Sequence, residues 1–559
     1  MTAGWDVVVV GAGSSGCALA ARLVDAGRRV LLLEAGADHP QPADFPATLR
    51  DAATLGAATP GHPAAWTYTA QLAEDVRYPV VRGRVLGGSS ALNGTYFVRG
   101  TPSDFDRWAG AGNDLWSAAA VLPAFCRSEA DADFGDQPGH GADGPMPVSR
   151  LHLDHPVTDA FAGACDELGF PAEPDKNAGG EPGHGPIPLN VVDGVRVNTA
   201  MAYLAPRRGS ELLTVRGSTR VSRVVVEGGR AVGVQTPDGV IRADEVVLAA
   251  GAVASPHLLM LSGIGPADQL RAAGLSVVAD VPGVGAEFSD HPDLYVTWQP
   301  SRRLPMPRGL LPLATALNTA AEGSGGTADL EVMPWLKPFR KVLLDRSSGP
   351  ALAGVGEALR RSAGTLRALR GASLHRLLDQ ARRRDDLYLA VALQQEESRG
   401  RLSLTSADPL VQPRLEHRYL TESADRRRLR EGVRLAAELL RTSAFAPLVA
   451  ERTGLPDEVL TDDGELDRWT RRHLATAIHL AGTARMGPDS DPGAVVDQQL
   501  RVRGVEGLRI VDTSVMPQVT SRGPAATAVM IGERAAELWK DPPAPHRSQA
   551  HGGPLQEGR

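Results

Sequence analysis

The sequence predicts an α/β fold in which a parallel-sheet domain is interleaved with an α+β domain built on an antiparallel sheet. Three observations predict it. The N-terminus reads as strand, glycine-rich turn, helix and strand within one short unit. A second apolar run, Val246 to Ala250, reads as a buried strand that meets a turn at Gly251. Farther on, LYLAVALQQEESRGRLSLTSADPLVQP (387–413) alternates as antiparallel strands do, and ADRRRLREGVRLAAELL after it has helical amphipathicity. With 559 residues the chain is too long for one ordinary core and suits two closely joined domains.

The first unit carries chemistry. Val7 to Val10 lead into Gly11-Ala12-Gly13-Ser14-Ser15-Gly16, the helix-like CALAARLVDAG and the strand RRVLLLEAG, which contains Glu34. Gly11 makes the tight turn, and Gly13 lets the backbone approach a pyrophosphate. Gly16 allows helix and strand to pack closely, and the helix N-terminus holds the anion. Glu34, eighteen residues after Gly16, can accept hydrogen bonds from ribose hydroxyls. This is a Rossmann-like dinucleotide-binding unit, and alone it does not choose between NAD and FAD. Cys17 reads as a small packing residue on the helix.

Composition bounds the rest. Hydrophobic residues at 42% and charged residues at 22% suit a soluble globular protein. A net charge of −7 favours no nucleic-acid partner. Cys17, Cys126 and Cys165 are too sparse for a disulfide framework, so a reducing, cytoplasmic setting is expected. The N-terminus shows no basic region with a cleavage site, and no segment reads as a membrane span. No internal repeat is evident, and no metal site is expected.

Three further blocks carry a resemblance. Gly83-Arg84-Val85-Leu86-Gly87-Gly88-Ser89-Ser90-Ala91-Leu92-Asn93-Gly94, with Phe97 and Gly100 downstream, is followed by GAVASPHLLMLSGIG (Gly251 to Gly265). The C-terminal block runs from HLAGTARMG (His479 to Gly487) through VVDQQLRVRGVEGLRIVDTSVMP to AVMIGERAAE. Together they resemble the two signatures and closing module of the glucose–methanol–choline (GMC) oxidoreductases, over nearly the whole chain. The resemblance implies an FAD-binding domain from residues 1–150, 191–295 and 470–540. It implies a substrate domain from 151–190 and 296–469, while the Pro-, Gly- and polar-rich composition of 541–559 reads as a disordered tail. The implied cofactor set is Gly11, Gly13, Ser14, Ser15, Gly16, Glu34, Ala35, Arg84, Gly87, Gly88, Ser89, Ser90, Asn93, Gly94, Val221, Ala250, Gly251 and Asp512. A Gly-Gly-Ser-Ser turn suits such a cofactor, because it exposes backbone N–H groups and hydroxyls.

His479 matches the histidine that family members place above the flavin. There an imidazole takes the hydroxyl proton of an alcohol while hydride leaves for flavin N5. His291, in SDHPD, also has a family counterpart and reads as structural. The chain departs from the family in two places. Many members carry a second catalytic His or Asn after the SVMP motif. Here Val519 to Thr527 has neither, which leaves Ser521 or Arg522 as candidate partners of His479. Leu92 stands where some members tether FAD through histidine, so non-covalent FAD is expected.

ALNGTYFVRGTPSDFDRW, DADFGDQPGHGADGPMPV and SRGPAAT resemble the mycofactocin-associated branch of the family. That implies reduced mycofactocin as an alternative to a small-molecule alcohol, with electrons passing to a respiratory acceptor. An oxygen-using oxidase, a hydroxynitrile-lyase-like enzyme and a non-enzymatic FAD protein are the competing readings. Lys337 to Arg384 holds twelve Lys/Arg against three Asp/Glu, with Leu359, Leu366, Leu369, Leu374, Leu377 and Leu378 near helical spacing. It reads as a basic helix, either a solvated face of the substrate domain or a peripheral contact with a membrane or acceptor.

Overall fold

The structure is a computed structural model that describes residues 4–151, 153–344 and 385–539. Its parallel core runs in the order Leu213–Arg216, Val30–Leu33, Trp5–Val10, the second half of Gly239–Leu248, and Leu508–Ile510. Val7 to Val10 and Val30 to Leu33 are fully buried, as a parallel sheet covered on both faces requires. The first half of Gly239–Leu248 instead joins the antiparallel strands Arg230–Thr236 and Arg223–Glu227. Helix Ser14–Asp25 packs against the C-terminal helix Ala525–Leu538.

A second sheet, antiparallel throughout, has the order Val449–Thr453, Pro292–Pro300, Leu387–Leu393, Leu330–Pro334, Thr315–Thr319, His184–Pro186. Its strand Leu387–Leu393 is buried at every residue. Leu387, Leu389, Val391 and Leu393 join the main core, where helix Ser423–Leu439 covers the sheet with Leu429, Val433 and Ala436. Tyr388 and Ala390 face the other way, into a cluster with Trp335 and Leu313. The strand therefore alternates between two buried faces rather than between core and water.

The 387–413 stretch does not stay in one sheet. Arg401–Ser403 pairs with Arg414–Glu416, in a separate sheet with Ala65–Ala73 and Val76–Gly83. The helix after it forms over Ser423–Leu439, where apolar positions recur on one face. Most of the basic Lys337–Arg384 stretch, residues 345–384, lies outside the described residues, as does the tail 541–559. Among the described residues no helix is long and apolar enough to cross a membrane.

Candidate active site and cofactor cradle

A cavity of about 520 Å³ runs from the first glycine turn to His479. Gly11, Gly13, Ser14, Ser15, Glu34 and Ala35 line it at one end, and Gly88, Ser89, Ser90, Asn93 and Gly94 form a wall. Val221, Ala250, Gly251, Asp512 and Leu92 also line it. Helix Ser14–Asp25 opens on this space with no side-chain cap and no acidic residue in its first turn. Its leading N–H groups and the positive end of its dipole are thus left for an anion, which fits the pyrophosphate of a dinucleotide.

Gly16, Arg84 and Gly87 do not line the cavity; they stand behind it. A Cβ at Gly16 would collide with the Gly11 carbonyl, so the bare position lets helix and turn close up. At Gly88, φ is +55° and a Cβ would lie 2.7 Å from Gly13 Cα, so the two glycine turns meet with no side chain between them. The Arg84 guanidinium stacks over Trp66 at 4.5 Å. Glu34 accepts hydrogen bonds from the N–H groups of Ala12 (3.1 Å) and Gly36 (2.8 Å). Burial pushes its carboxyl up to about 7, against the pull of these bonds and of Arg84.

Asp512 is committed to the protein. Oδ2 accepts from the Gly251 N–H (2.8 Å) and the Ser255 hydroxyl (2.5 Å), and Oδ1 from the Ser514 N–H (2.8 Å) and hydroxyl (2.6 Å). It anchors helix Gly251–Leu261 to the C-terminal module beside the cavity.

At the far end, Asp290 organises the histidines. Its Oδ1 accepts from the backbone N–H groups of His479 (2.6 Å) and His291 (2.9 Å). Its Oδ2 accepts from the Thr476 hydroxyl (2.7 Å) and lies 3.0 Å from His417 Nε2. Burial alone would raise this carboxyl, but its bonds to His417 and Thr476 and the nearby imidazoles hold it at about 2. His479 is half-buried and lines the cavity. Enclosure by protein lowers its imidazole to about 4, with Arg82 adding and Asp290 opposing.

One face of the antiparallel sheet closes this end. The register aligns Asp293 with Ala392 and Ala392 with Glu331, and all three line the cavity with Tyr295, Met333 and Trp335. Ala392 keeps the space between the carboxyls open. Glu331 accepts from the Tyr96 hydroxyl (2.8 Å), Asn318 Nδ2 (3.0 Å) and Gln394 Nε2 (2.9 Å). Burial pushes Asp293 up to about 7, and the charge of Glu331 adds to it while Tyr295 opposes.

Ser521 and Arg522 direct their side chains to partners other than His479. Neither lines the cavity. The Ser521 hydroxyl and N–H both donate to Asp104 Oδ2, at 2.9 and 3.0 Å. Arg522 donates to the Ser521 carbonyl at 2.9 Å and approaches Glu173 at 3.9 Å. The ring that meets His479 belongs to His291, which reads as structural in the sequence, Nδ1 to Nδ1 at 2.9 Å. Gly523 occupies the other edge, where a Cβ would stand 3.5 Å from His479 Nε2. Asp290 and Asp293 flank His291 in the SDHPD block but are not singled out there. Tyr295, Glu331 and Trp335 belong to no sequence motif, and strand register brings Asp293, Tyr295 and Glu331 to one face.

Family models match both ends of the chain. The N-terminal GMC oxidoreductase model covers residues 5–293 and the C-terminal one residues 396–532. The chain is a GMC oxidoreductase. It is similar to an uncharacterised GMC-type oxidoreductase of Rhodococcus erythropolis, 38% identical over 95% of this chain and 98% of the relative. It is also 35% identical to the mitochondrial choline dehydrogenase of Homo sapiens, over 97% of this chain and 90% of the relative. Among solved structures, pyridoxine 4-oxidase from Mesorbium loti superposes with a TM-score of 0.81 at 29% identity, over 96% of this chain and 99% of that one. GMC oxidoreductases bind FAD, and the uncapped helix and paired glycine turns of this member fit that cofactor.

Proposed function

We propose that this GMC oxidoreductase oxidises the CH–OH group of an alcohol, with His479 taking the hydroxyl proton. The observation that carries the reading is the place of His479 at the end of the same cavity that starts at the dinucleotide turn, where burial favours its neutral imidazole. Ser14 and Ser15 would hold the pyrophosphate, Glu34 a ribose, and Gly88 to Asn93 the flavin side. Bound FAD supplies the hydride acceptor at N5. The chain's own task is to hold the hydroxyl against His479 Nε2 and take its proton. Asp290, held ionised at about 2, stabilises the imidazolium that results. Leu92 offers no atom for a covalent tether, so FAD is dissociable and denaturation releases it.

The donor end favours an alcohol bearing a cationic group. Asp293 supplies a carboxylate and Tyr295 and Trp335 supply aromatic faces, the pairing that binds ammonium groups. Similarity to choline dehydrogenases supports this reading. A second reading, with reduced mycofactocin as donor, rests on the sequence blocks around Asn93 and Arg522.

The test is anaerobic flavin absorbance of the holoprotein after mixing with choline, with simple primary alcohols and with reduced mycofactocin. Bleaching by choline is expected, lost in His479→Gln. Bleaching by mycofactocin alone moves the donor to the second reading. No bleaching by any donor sinks alcohol oxidation and leaves a lyase or non-enzymatic role. Oxygen uptake in the reoxidation step separates an oxidase from a dehydrogenase.

A further inference from the structure

His479 and His291 face each other through Nδ1 at 2.9 Å, with ring centroids 5.0 Å apart and planes at 87°. Two facing ring nitrogens at that distance share one proton: one ring donates and the other accepts. Burial keeps both imidazoles neutral near pH 7, at about 4 for His479 and about 3 for His291. Each ring then carries a single N–H, and the direction of this one bond decides which nitrogen of His479 is left bare. If His291 donates, His479 carries its proton on Nε2 and presents an N–H to the cavity, where it cannot act as a base. If His291 accepts, His479 Nε2 is free to take a proton.

The surroundings of His291 decide between these. The ring is fully buried, and Nε2 has no partner within strict hydrogen-bond geometry among the described residues. The groups that favour a proton on the ring are the Asp290 carboxylate and then the carbonyls of Thr520 and Gln394, all acceptors. Among acceptors alone, a bare Nε2 would set lone pair against lone pair, whereas an N–H there is attracted. A proton on His291 Nε2 leaves its Nδ1 bare and ready to accept. Asp290 fixes the geometry, because the same oxygen accepts the backbone N–H groups of both residues.

We propose that His291 is a positioning residue that sets the tautomer of His479: as an Nδ1 acceptor it keeps the His479 proton on Nδ1 and leaves Nε2 bare toward the cavity. This deepens the proposed role of His479 as proton acceptor and rests on it. When a hydroxyl proton reaches Nε2, His479 becomes an imidazolium whose Nδ1–H still donates to His291. No proton has to leave the pair during the step. His291 thus holds the Nδ1 edge of His479, opposite the Nε2 edge where Gly523 of the Val519–Thr527 segment stands.

The direct test is ring nitrogen NMR on holoprotein labelled with 15N-histidine, with His479 assigned by its disappearance in His479→Gln. The expected result is a protonated Nδ1 and a bare Nε2 for His479 in the unsubstituted protein. A proton on Nε2 overturns the proposal, whatever the variants do. The kinetic arm compares His291→Phe, which has no acceptor, with His291→Asn, whose amide oxygen can replace Nδ1. We expect flavin reduction to slow ~10²-fold in His291→Phe, within the range lost with proton-transfer groups, and to recover at least tenfold in His291→Asn. FAD content should be unchanged in both. Equal rates in the two variants would overturn the proposal, because packing alone does not distinguish them by acceptor. Failure of the base role itself reads differently: His479→Gln would keep its rate while the tautomer result stood.

Discussion

Ile478, the residue before His479, has φ +62°, a left-handed conformation costly for a β-branched side chain. Its N–H donates to the Thr476 hydroxyl (2.9 Å) and its carbonyl accepts from Arg82 (2.7 Å), so the strained turn is held on both sides. Strain held in this way beside a catalytic candidate aims the ring. Ile478→Gly should therefore lower kcat about tenfold while melting close to the unsubstituted protein, since relief of ~1 kcal/mol of strain offsets the lost half-buried side chain. Stopped-flow flavin reduction and a melting curve check both halves. Asp293 gives a pH prediction. Its carboxyl, raised to about 7 by burial first, is protonated below that pH and ionised above it. A cationic alcohol needs the ionised form, so KM for choline should fall as pH rises through about 7 and level off above. Asp293→Asn should flatten the curve, and an uncharged isostere of choline should show no such trend. A flat profile for choline in the unsubstituted protein would remove Asp293 from donor recognition.

Elements meet at the two glycine turns. With φ +55° at Gly88 and only 2.7 Å between its would-be Cβ and Gly13 Cα, Gly88→Ala must push the second turn off the first. The expected result is FAD affinity weakened at least ~10-fold, read as the flavin-to-protein ratio after dialysis, with the fold intact by circular dichroism. An unchanged ratio would mean the two turns do not close on the cofactor together. This part of the cradle was legible in the sequence because it is local: strand, turn, helix and Glu34 belong to one βαβ unit, and backbone rules give each glycine its task. At the other end His479 and His291 were legible as residues of their blocks, but not as a facing pair. That Ser521 turns to Asp104, 417 positions away, while His291 meets His479 across 188, depends on how distant elements pack. Asp293 and Glu331 share a face only through the registers on either side of Leu387–Leu393. That strand was readable as antiparallel, but its second buried face was not, since alternation shows only that two faces differ.

Across the whole molecule, the first described helix and the last described one, far apart in sequence, pack together. The Ser15 hydroxyl donates to the Ala528 carbonyl at 2.6 Å, and a Cβ at Gly532 would come within 2.5 Å of the Ser15 carbonyl. Glu533, 1% exposed, accepts from Arg22 Nε at 3.0 Å and from the Tyr203 hydroxyl at 2.8 Å. The C-terminal helix thereby clamps the back of helix Ser14–Asp25, whose front presents its N–H groups to the cofactor cradle. Glu533→Ala leaves the buried Tyr203 hydroxyl without its acceptor and takes from Arg22 its buried partner, although Arg22 keeps Asp25, a change that costs about 1–3 kcal/mol. A bound ligand at a thousandfold its Kd adds about 4 kcal/mol to stability, provided that its affinity is intact. If the clamp also orders the helix N-terminus, Glu533→Ala should weaken FAD as well, and the melting temperature should fall further in the presence of FAD than in its absence. Arg242→Ala, which breaks an exposed pair with Glu227, is the control and should shift neither value appreciably. Equal falls with and without FAD would mean that the C-terminal helix supports the domain but does not reach the cofactor.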